Sequence, residues 1–95
     1  MKVTWSSAAS RDFHDAVTYL MARNPDATAQ LVAGVEHAIE LLADGRFSGP
    51  EVMLPTGDIA HAWSVYPYRL YYDRRGDDEL RILRLFHQRR QPIER

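Results

Sequence analysis

Two β-prone runs, separated by a short polar turn, fill the last third of the chain and constrain its fold more than any other feature. The runs cover residues 66–73 and 79–90, and the glycine and aspartates between them suit a hairpin turn. The pattern therefore predicts two adjacent antiparallel strands. Arg69 and Arg84 interrupt these otherwise apolar runs. A strand that only fills a core has no need of an arginine, so these two residues call for a separate explanation.

The charge of the chain is unevenly distributed. Residues 1–65 carry a balance of −4 and residues 66–95 a balance of +3, which gives the formal net charge of −1. An arginine-rich hairpin that leads into the polar cluster at residues 87–90 predicts a surface for an anion or an acidic partner. The alternative is a set of solvated arginines that nearby acidic residues balance: Asp73, Asp77, Asp78 and Glu79.

The first part of the chain predicts a strand followed by two helices. Val3 and Trp5 alternate with polar residues, which favours a strand with one buried face. Ser6 or Ser7 can cap the first helix. Its apolar residues recur at helical spacing, with Arg11, Asp12, Asp15 and Thr18 expected away from that stripe. The stripe consists of Ala9, Phe13, Ala16, Val17, Leu20 and Met21.

The second helix is expected to start with Asn24 as its cap and Pro25 as its first residue. Gly45 can terminate it. Gly34 lies inside this helix and suggests a close approach between the two helices. The apolar side of the helix is formed by Leu31, Val35, Ala38, Ile39 and Leu42.

Residues 45–58 are rich in glycine and proline and are expected to be mostly loop. From Ile59 the apolar period is two, which predicts another strand before the hairpin. The order β-α-α-β-β-β predicts an α+β fold, an antiparallel sheet with a helical hairpin packed on one face. The length of 95 residues predicts one domain over residues 1–95.

Composition excludes several classes of site. The chain has no cysteine, which rules out disulfides and cysteine chemistry and fits a reducing compartment. Its four histidines lack the spacing of metal ligands, and no phosphate-binding glycine loop or nucleophile elbow is present. No apolar run is long enough for a membrane helix and no signal-peptide core opens the chain. We therefore expect a cytoplasmic protein without metal or cofactor.

Five short motifs in a fixed order resemble the RelE/ParE superfamily of bacterial toxins, and their details lean toward the ParE branch. The resemblance extends over nearly the whole chain. The motifs include the strand Pro67-x-Arg69-x-x-Tyr72, the run Leu80-x-Ile82-Leu83-Arg84-x-x-His87-x-x-Arg90, Trp5 with Arg11-Asp12-Phe13, Tyr19-Leu20, and Asn24-Pro25-Asp26-Ala27.

The RelE branch implies one function, metal-independent cleavage of messenger RNA on the ribosome. The residues that would carry this chemistry by resemblance are Glu51, Arg69 and His87. Such cleavage needs a base, cations for the phosphate and an acid. Two departures weigh against it: Gln88 replaces the terminal tyrosine of that branch, and Lys2 is the single lysine of a chain with net charge −1.

The ParE branch implies a different function, inhibition of DNA gyrase without catalytic residues. Under this interpretation the target-binding residues are Arg69, Arg84, His87, Arg89 and Arg90. Both branches imply a hetero-oligomer with a cognate antitoxin, whose tail would add apolar anchors in a groove and a strand at the sheet edge. A third interpretation is a family member that has lost toxicity and only binds its antitoxin.

The hairpin register decides how the arginines are arranged. A turn centred on Gly76 pairs Arg69 with Leu83 and places Arg69 beside Arg84. Two adjacent guanidinium groups repel each other unless an acid or an anion separates them. Either a neighbouring carboxylate neutralises one of them, or both face a target together with His87 and Arg89.

Overall fold

The computed structural model describes residues 1–89 and shows two helices packed on one face of a five-stranded sheet. The elements in chain order are β1 (Lys2–Trp5), α1 (Ser7–Met21), α2 (Pro25–Ala43), β2 (Glu51–Met53), β3 (Ile59–Val65), β4 (Tyr68–Arg75) and β5 (Glu79–His87). In the sheet they lie in the order β1-β5-β4-β3-β2. The α+β class with a helical hairpin on one sheet face is confirmed.

Two details of the sheet differ from the sequence prediction. The sheet is mixed rather than wholly antiparallel, because β1 pairs with β5 in parallel, with Val3 opposite Leu80. Alternation of side chains assigns the faces of a strand but does not fix its direction. The second difference is β2, which lies in the segment predicted as loop and pairs Val52 with Ala60. Three residues are too few to show a period of two.

Both helices begin where the sequence predicts. The Ser6 hydroxyl accepts a hydrogen bond from the Ala9 backbone N–H at 2.9 Å, which caps α1. The Asn24 side chain accepts one from the Ala27 N–H at 3.1 Å, and Pro25 is the first residue of α2. The connection of three residues between Met21 and Pro25 makes the helices antiparallel neighbours. Neither helix within residues 1–89 is long and apolar enough to cross a membrane.

The main core lies between the helices and one face of β3, β4 and β5. All the helix residues of this core belong to the predicted stripes. One stripe residue is not part of the core: Met21, the last residue of α1, is 63% exposed. From the sheet, the buried members are Tyr68, Leu70, Tyr72, Leu80, Ile82 and Leu85. We call this side of the sheet the covered face.

Gly34 allows a close approach, but to the sheet and not to the first helix. A Cβ atom on Gly34 would lie 2.8 Å from Cγ1 of Val65 in β3. The suggested helix–helix approach is therefore wrong. The glycine instead allows α2 to pack closely against Val65 of β3.

Candidate target-binding surface

The side of the sheet opposite the helices carries most of the arginines of the hairpin, and we call it the open face. Strand pairing assigns Arg69, Tyr71 and Asp73 of β4 to this face, together with Arg81, Arg84 and Phe86 of β5. They lie there because alternate residues of these strands enter the covered core.

The observed register corrects the predicted position of Arg69. Arg69 lies opposite Phe86, not Leu83, and Arg84 lies opposite Tyr71. Two features shift the pairing. The β4–β5 turn begins one residue later than expected, with Gly76 at φ +60°, and an irregularity between Tyr71 and Tyr72 adds one residue to β5. Arg69 and Arg84 consequently share the open face as diagonal neighbours.

Arg84 is bound to a carboxylate of the first helix. Its Nε and Nη2 atoms donate to the two oxygens of Asp12 at 2.8 and 3.1 Å, a bidentate pair. This hydrogen bonding raises the pKa of Arg84 against the opposing effect of burial, so the arginine remains charged at any physiological pH. Asp12 also accepts the backbone N–H of Leu85 at 3.0 Å. Of the two explanations for the adjacent arginines, neutralisation by an acid therefore holds for Arg84.

Asp12 and Ser6 together close part of the β5 edge. β1 pairs with β5 only as far as Ile82, so within the described residues 1–89 the rest of β5 has no strand neighbour on that side. Ser6 Oγ donates to the Leu83 carbonyl at 2.9 Å, and Asp12 accepts from Leu85. Asp12 was expected on the solvent side of α1, yet its side chain is only 13% exposed. Its positions three after Ala9 and four before Ala16 were the available signal, because those spacings place it beside the buried stripe.

A second arginine of the open face is also neutralised. Arg81 donates from Nε and Nη2 to the two oxygens of Asp73 at 2.9 and 2.8 Å, directly across the strand pair. The hydrogen bond to Asp73 raises the pKa of Arg81. This pair lines a shallow cleft of about 470 Å³ that also contains Arg75 and the β2–β3 loop. Asp73 thus serves Arg81 and is not available to Arg69.

Arg69 and Arg75 differ from these two arginines because, among residues 1–89, neither has a hydrogen-bond or ion-pair partner. Arg69 is half-buried and Arg75 is exposed. Six residues of strand separate them, or roughly 20 Å. Sequence reasoning selected Arg69 and Arg84 as a pair. The structure divides them into one free and one bound arginine.

His87 lies on the covered face at the end of β5. It pairs with Tyr68, and the two rings meet edge-to-face with centroids 5.3 Å apart. Nδ1 of His87 accepts the Arg89 backbone N–H at 3.1 Å, which makes the histidine a cap for the strand end. Arg89 is exposed, and Arg90 lies outside the described residues. His87 and Arg69 are therefore on opposite faces of the sheet.

The three residues implied for RNA cleavage are not assembled around one point. Glu51 lies on the edge strand β2 opposite His61, in the row that continues to Tyr72. Arg69 lies three residues before Tyr72 on β4, and β4 is two strands away from β2. The backbones of Glu51 and Arg69 are therefore separated by roughly 14 Å. Moreover, Glu51 shares the covered face with His87, whereas Arg69 belongs to the open face. No group of three or more metal-ligating side chains occurs in residues 1–89 either.

Arg74 is the arginine that sequence reasoning missed. It lies on the covered side of β4, opposite Leu80, where its guanidinium donates to the carbonyls of Leu42 and Phe47 at 3.0 and 2.7 Å. Its Nη1 also donates to the Ser48 hydroxyl at 2.8 Å. These bonds fix the end of α2 and the loop after it, because carbonyls at a helix C-terminus lack helical partners.

Comparison with known proteins agrees with this arrangement of elements. A family model described as "ParE toxin of type II toxin-antitoxin system, parDE" matches residues 3–92. A solved structure described as "Chromosomal ParDE TA system from P. aeruginosa" superposes with a TM-score of 0.65 at 19% sequence identity, and covers 92% of this chain and 95% of that chain. At that identity the likeness shows the fold. No curated protein matches the sequence.

Proposed function

Because the chain belongs to the ParE toxin family of type II toxin–antitoxin systems, we propose that it is a toxin that inhibits DNA gyrase and that a cognate antitoxin neutralises it. The proposal places its action in the cytoplasm, where gyrase acts on DNA. The family match over residues 3–92 carries the proposal, since it includes both helices, β2 to β5 and all but the first residue of β1.

The geometry of the open face supports inhibition by binding rather than by catalysis. A binding surface needs a rigid sheet with side chains free to contact a partner, and imposes no acid–base geometry. Arg69 has the required freedom, whereas Glu51, Arg69 and His87 are spread over two faces. The remaining target-binding candidates stay part of the proposal: Arg84 on the same face, His87 and Arg89 at the end of β5, and Arg90, which lies outside the described residues.

A gyrase assay tests the proposed target. The chain is added to purified gyrase with relaxed plasmid, and supercoiling and linear DNA are followed on gels. We expect supercoiling to stop and linear DNA to accumulate. In parallel, the chain is added to ribosomes with a programmed message, which should remain intact. Codon-linked cuts abolished by Glu51→Gln or His87→Ala would instead make the protein an endonuclease.

The antitoxin is proposed to dock along the β2 edge of the sheet. β2 has a strand neighbour on one side only within residues 1–89, so its outer side can accept an added strand. Met53 and Ile59, opposite each other across β2 and β3, are 63% and 52% exposed. Phe47, 42% exposed, packs edge-on against Trp63, which lies four residues after Ile59 in β3. Such side chains provide anchors for an antitoxin tail.

Isothermal titration with the protein encoded by the neighbouring gene tests the docking site. We expect binding in the nanomolar range. Met53→Asp should weaken it at least about tenfold, because the substitution puts a charge where the antitoxin would bury an apolar side chain. Met21→Asp is the matched control, since Met21 is also 63% exposed but ends α1. If Met21→Asp weakens binding and Met53→Asp does not, the antitoxin docks at the helices. Absence of any binding would remove the antitoxin from the proposal.

A further inference from the structure

The open face contains two unused hydrogen-bonding groups two residues apart on β4. Arg69 has no partner among residues 1–89, and the hydroxyl of Tyr71 is fully buried without an acceptor. We propose that these two groups form a recognition site for a carboxylate of a protein partner, an aspartate or glutamate in an acidic segment. The claim that this partner is the toxin's target rests on the proposed function. The claim that the site binds a carboxylate does not depend on it.

Arg69 supplies the charge of this site. It lies in a row of side chains between Ser64 of β3 and Phe86 of β5. The arginine is half-buried, so part of its hydration is already lost, and no group within residues 1–89 replaces it. A carboxylate that arrives at this position gains a charge-assisted hydrogen bond at less desolvation cost than at a fully exposed arginine.

Tyr71 supplies a second donor on the same face. The residue lies between Ala62 and Arg84 in the next row, and its ring centroid is 6.0 Å from that of Phe86. A buried hydroxyl without an acceptor is uncommon in proteins and is often found where a further group completes the site. Phe86 is half-buried on the same face opposite Arg69, and the Arg84 guanidinium lies 4.3 Å from its ring centroid.

The surrounding charges favour a carboxylate over a nucleic-acid phosphate. The two other arginines near this point, Arg81 and Arg84, are already held by carboxylates in bidentate geometry. Both are neutralised by their carboxylates. Among Arg69, Tyr71, Arg81, Arg84 and Phe86, which we call the patch, Arg69 is therefore the sole unpaired cation within residues 1–89. Nucleic-acid binding depends on many phosphate contacts, and a chain of net charge −1 does not supply them. A single cation beside an aromatic ring suits one acidic side chain of a protein.

Nuclear magnetic resonance titration tests the site without gyrase. The ¹⁵N-labelled full chain is titrated with an acetylated peptide of alternating glutamate and leucine, its glutamine counterpart, and a short DNA duplex. We expect the glutamate peptide to shift the Arg69 side-chain resonance and the Tyr71 amide in the wild type, and to shift the Tyr71 amide at least about tenfold less in Arg69→Ala. Arg75→Ala, a free arginine outside the patch, should respond like the wild type. Equal shifts with the glutamine peptide, stronger shifts with DNA, or no shift at Arg69 would overturn the inference.

Gyrase inhibition then connects the site to the target. We expect Arg69→Ala to raise the half-inhibitory concentration at least about tenfold and Arg75→Ala to change it less than about twofold. Tyr71→Phe should weaken inhibition while leaving the melting temperature unchanged or higher, because it removes an unsatisfied buried group. If wild type inhibits gyrase and Arg69→Ala inhibits equally well, this inference fails and the proposed function stands. If wild type does not inhibit gyrase but the peptide shifts occur, the proposed target is wrong and the carboxylate site stands.

Discussion

The covered face and the open face of the sheet share the same strands but use their arginines in different ways. Arg74 points toward the helices and donates three hydrogen bonds to the segment that ends α2, whereas its neighbour Arg75 has no partner among residues 1–89. Arg75 lies on the open side, and within that face there is a further contrast between the bound Arg84 and the free Arg69. Whether an arginine of this sheet stabilises the fold or is free to bind another molecule thus depends on whether it has a partner within the fold, and its place in the sequence pattern does not decide this.

The largest effect should come from the covered core. Ile82 is fully buried there, so Ile82→Ala removes apolar contacts and leaves a cavity, at a cost of about 3 kcal/mol in the free energy of unfolding. Ser64→Ala, on the open face, should change stability by less than about 0.5 kcal/mol. Urea denaturation measures both variants. Similar losses in the two would mean that the open face contributes to the fold as much as the covered face.

A smaller loss is expected at the arginine on the covered side. Arg74→Ala removes the donors to Leu42, Phe47 and Ser48, and should cost about 2 kcal/mol. A loss of that size lowers the melting temperature of a domain this small by roughly 8–16 °C. Arg75→Ala is the neighbouring control and should leave the melting temperature almost unchanged. Equal melting temperatures would contradict the assignment of Arg74 to the fold.

Removal of the ion pair between Asp12 of α1 and Arg84 of β5 should lower the free energy of unfolding by a small to intermediate amount. Arg84→Ala should cost about 1 kcal/mol, because 39% of its side chain is exposed and water screens the pair. Asp12→Ala should cost more, about 2 kcal/mol, since it also leaves the Leu85 N–H without its acceptor. A double-mutant cycle isolates the pair. A coupling energy of zero would show that Asp12 acts on the backbone alone.

Much of the fold could be predicted because its causes are local. The caps at Ser6 and Asn24 and the helix stripes follow from short-range patterns, and they are confirmed. The family prediction, which used five motifs in order, is also confirmed. The direction of β1 depends on where distant parts of the chain meet, which no local pattern records, whereas β2 is too short at three residues to show an alternating pattern.

The arrangement of the candidate site was harder to predict than the fold. The register of β4 and β5 is sensitive to single residues, and the later turn together with the irregularity between Tyr71 and Tyr72 moved the partner of Arg69 from Leu83 to Phe86. The sequence also gave no direct sign that Asp12, more than seventy positions away, binds Arg84. Selecting Arg69 and Arg84 was possible from the pattern. Separating their roles required the tertiary contacts.

One paired measurement tests the division between a bound and a free arginine most directly. Melting temperature and gyrase inhibition are measured together for Arg69→Ala and Arg84→Ala. We expect Arg69→Ala to keep its melting temperature within about 2 °C while inhibition falls at least about tenfold, and Arg84→Ala to melt roughly 4–8 °C lower. An Arg69→Ala protein that melts lower and still inhibits gyrase like the wild type would contradict the account.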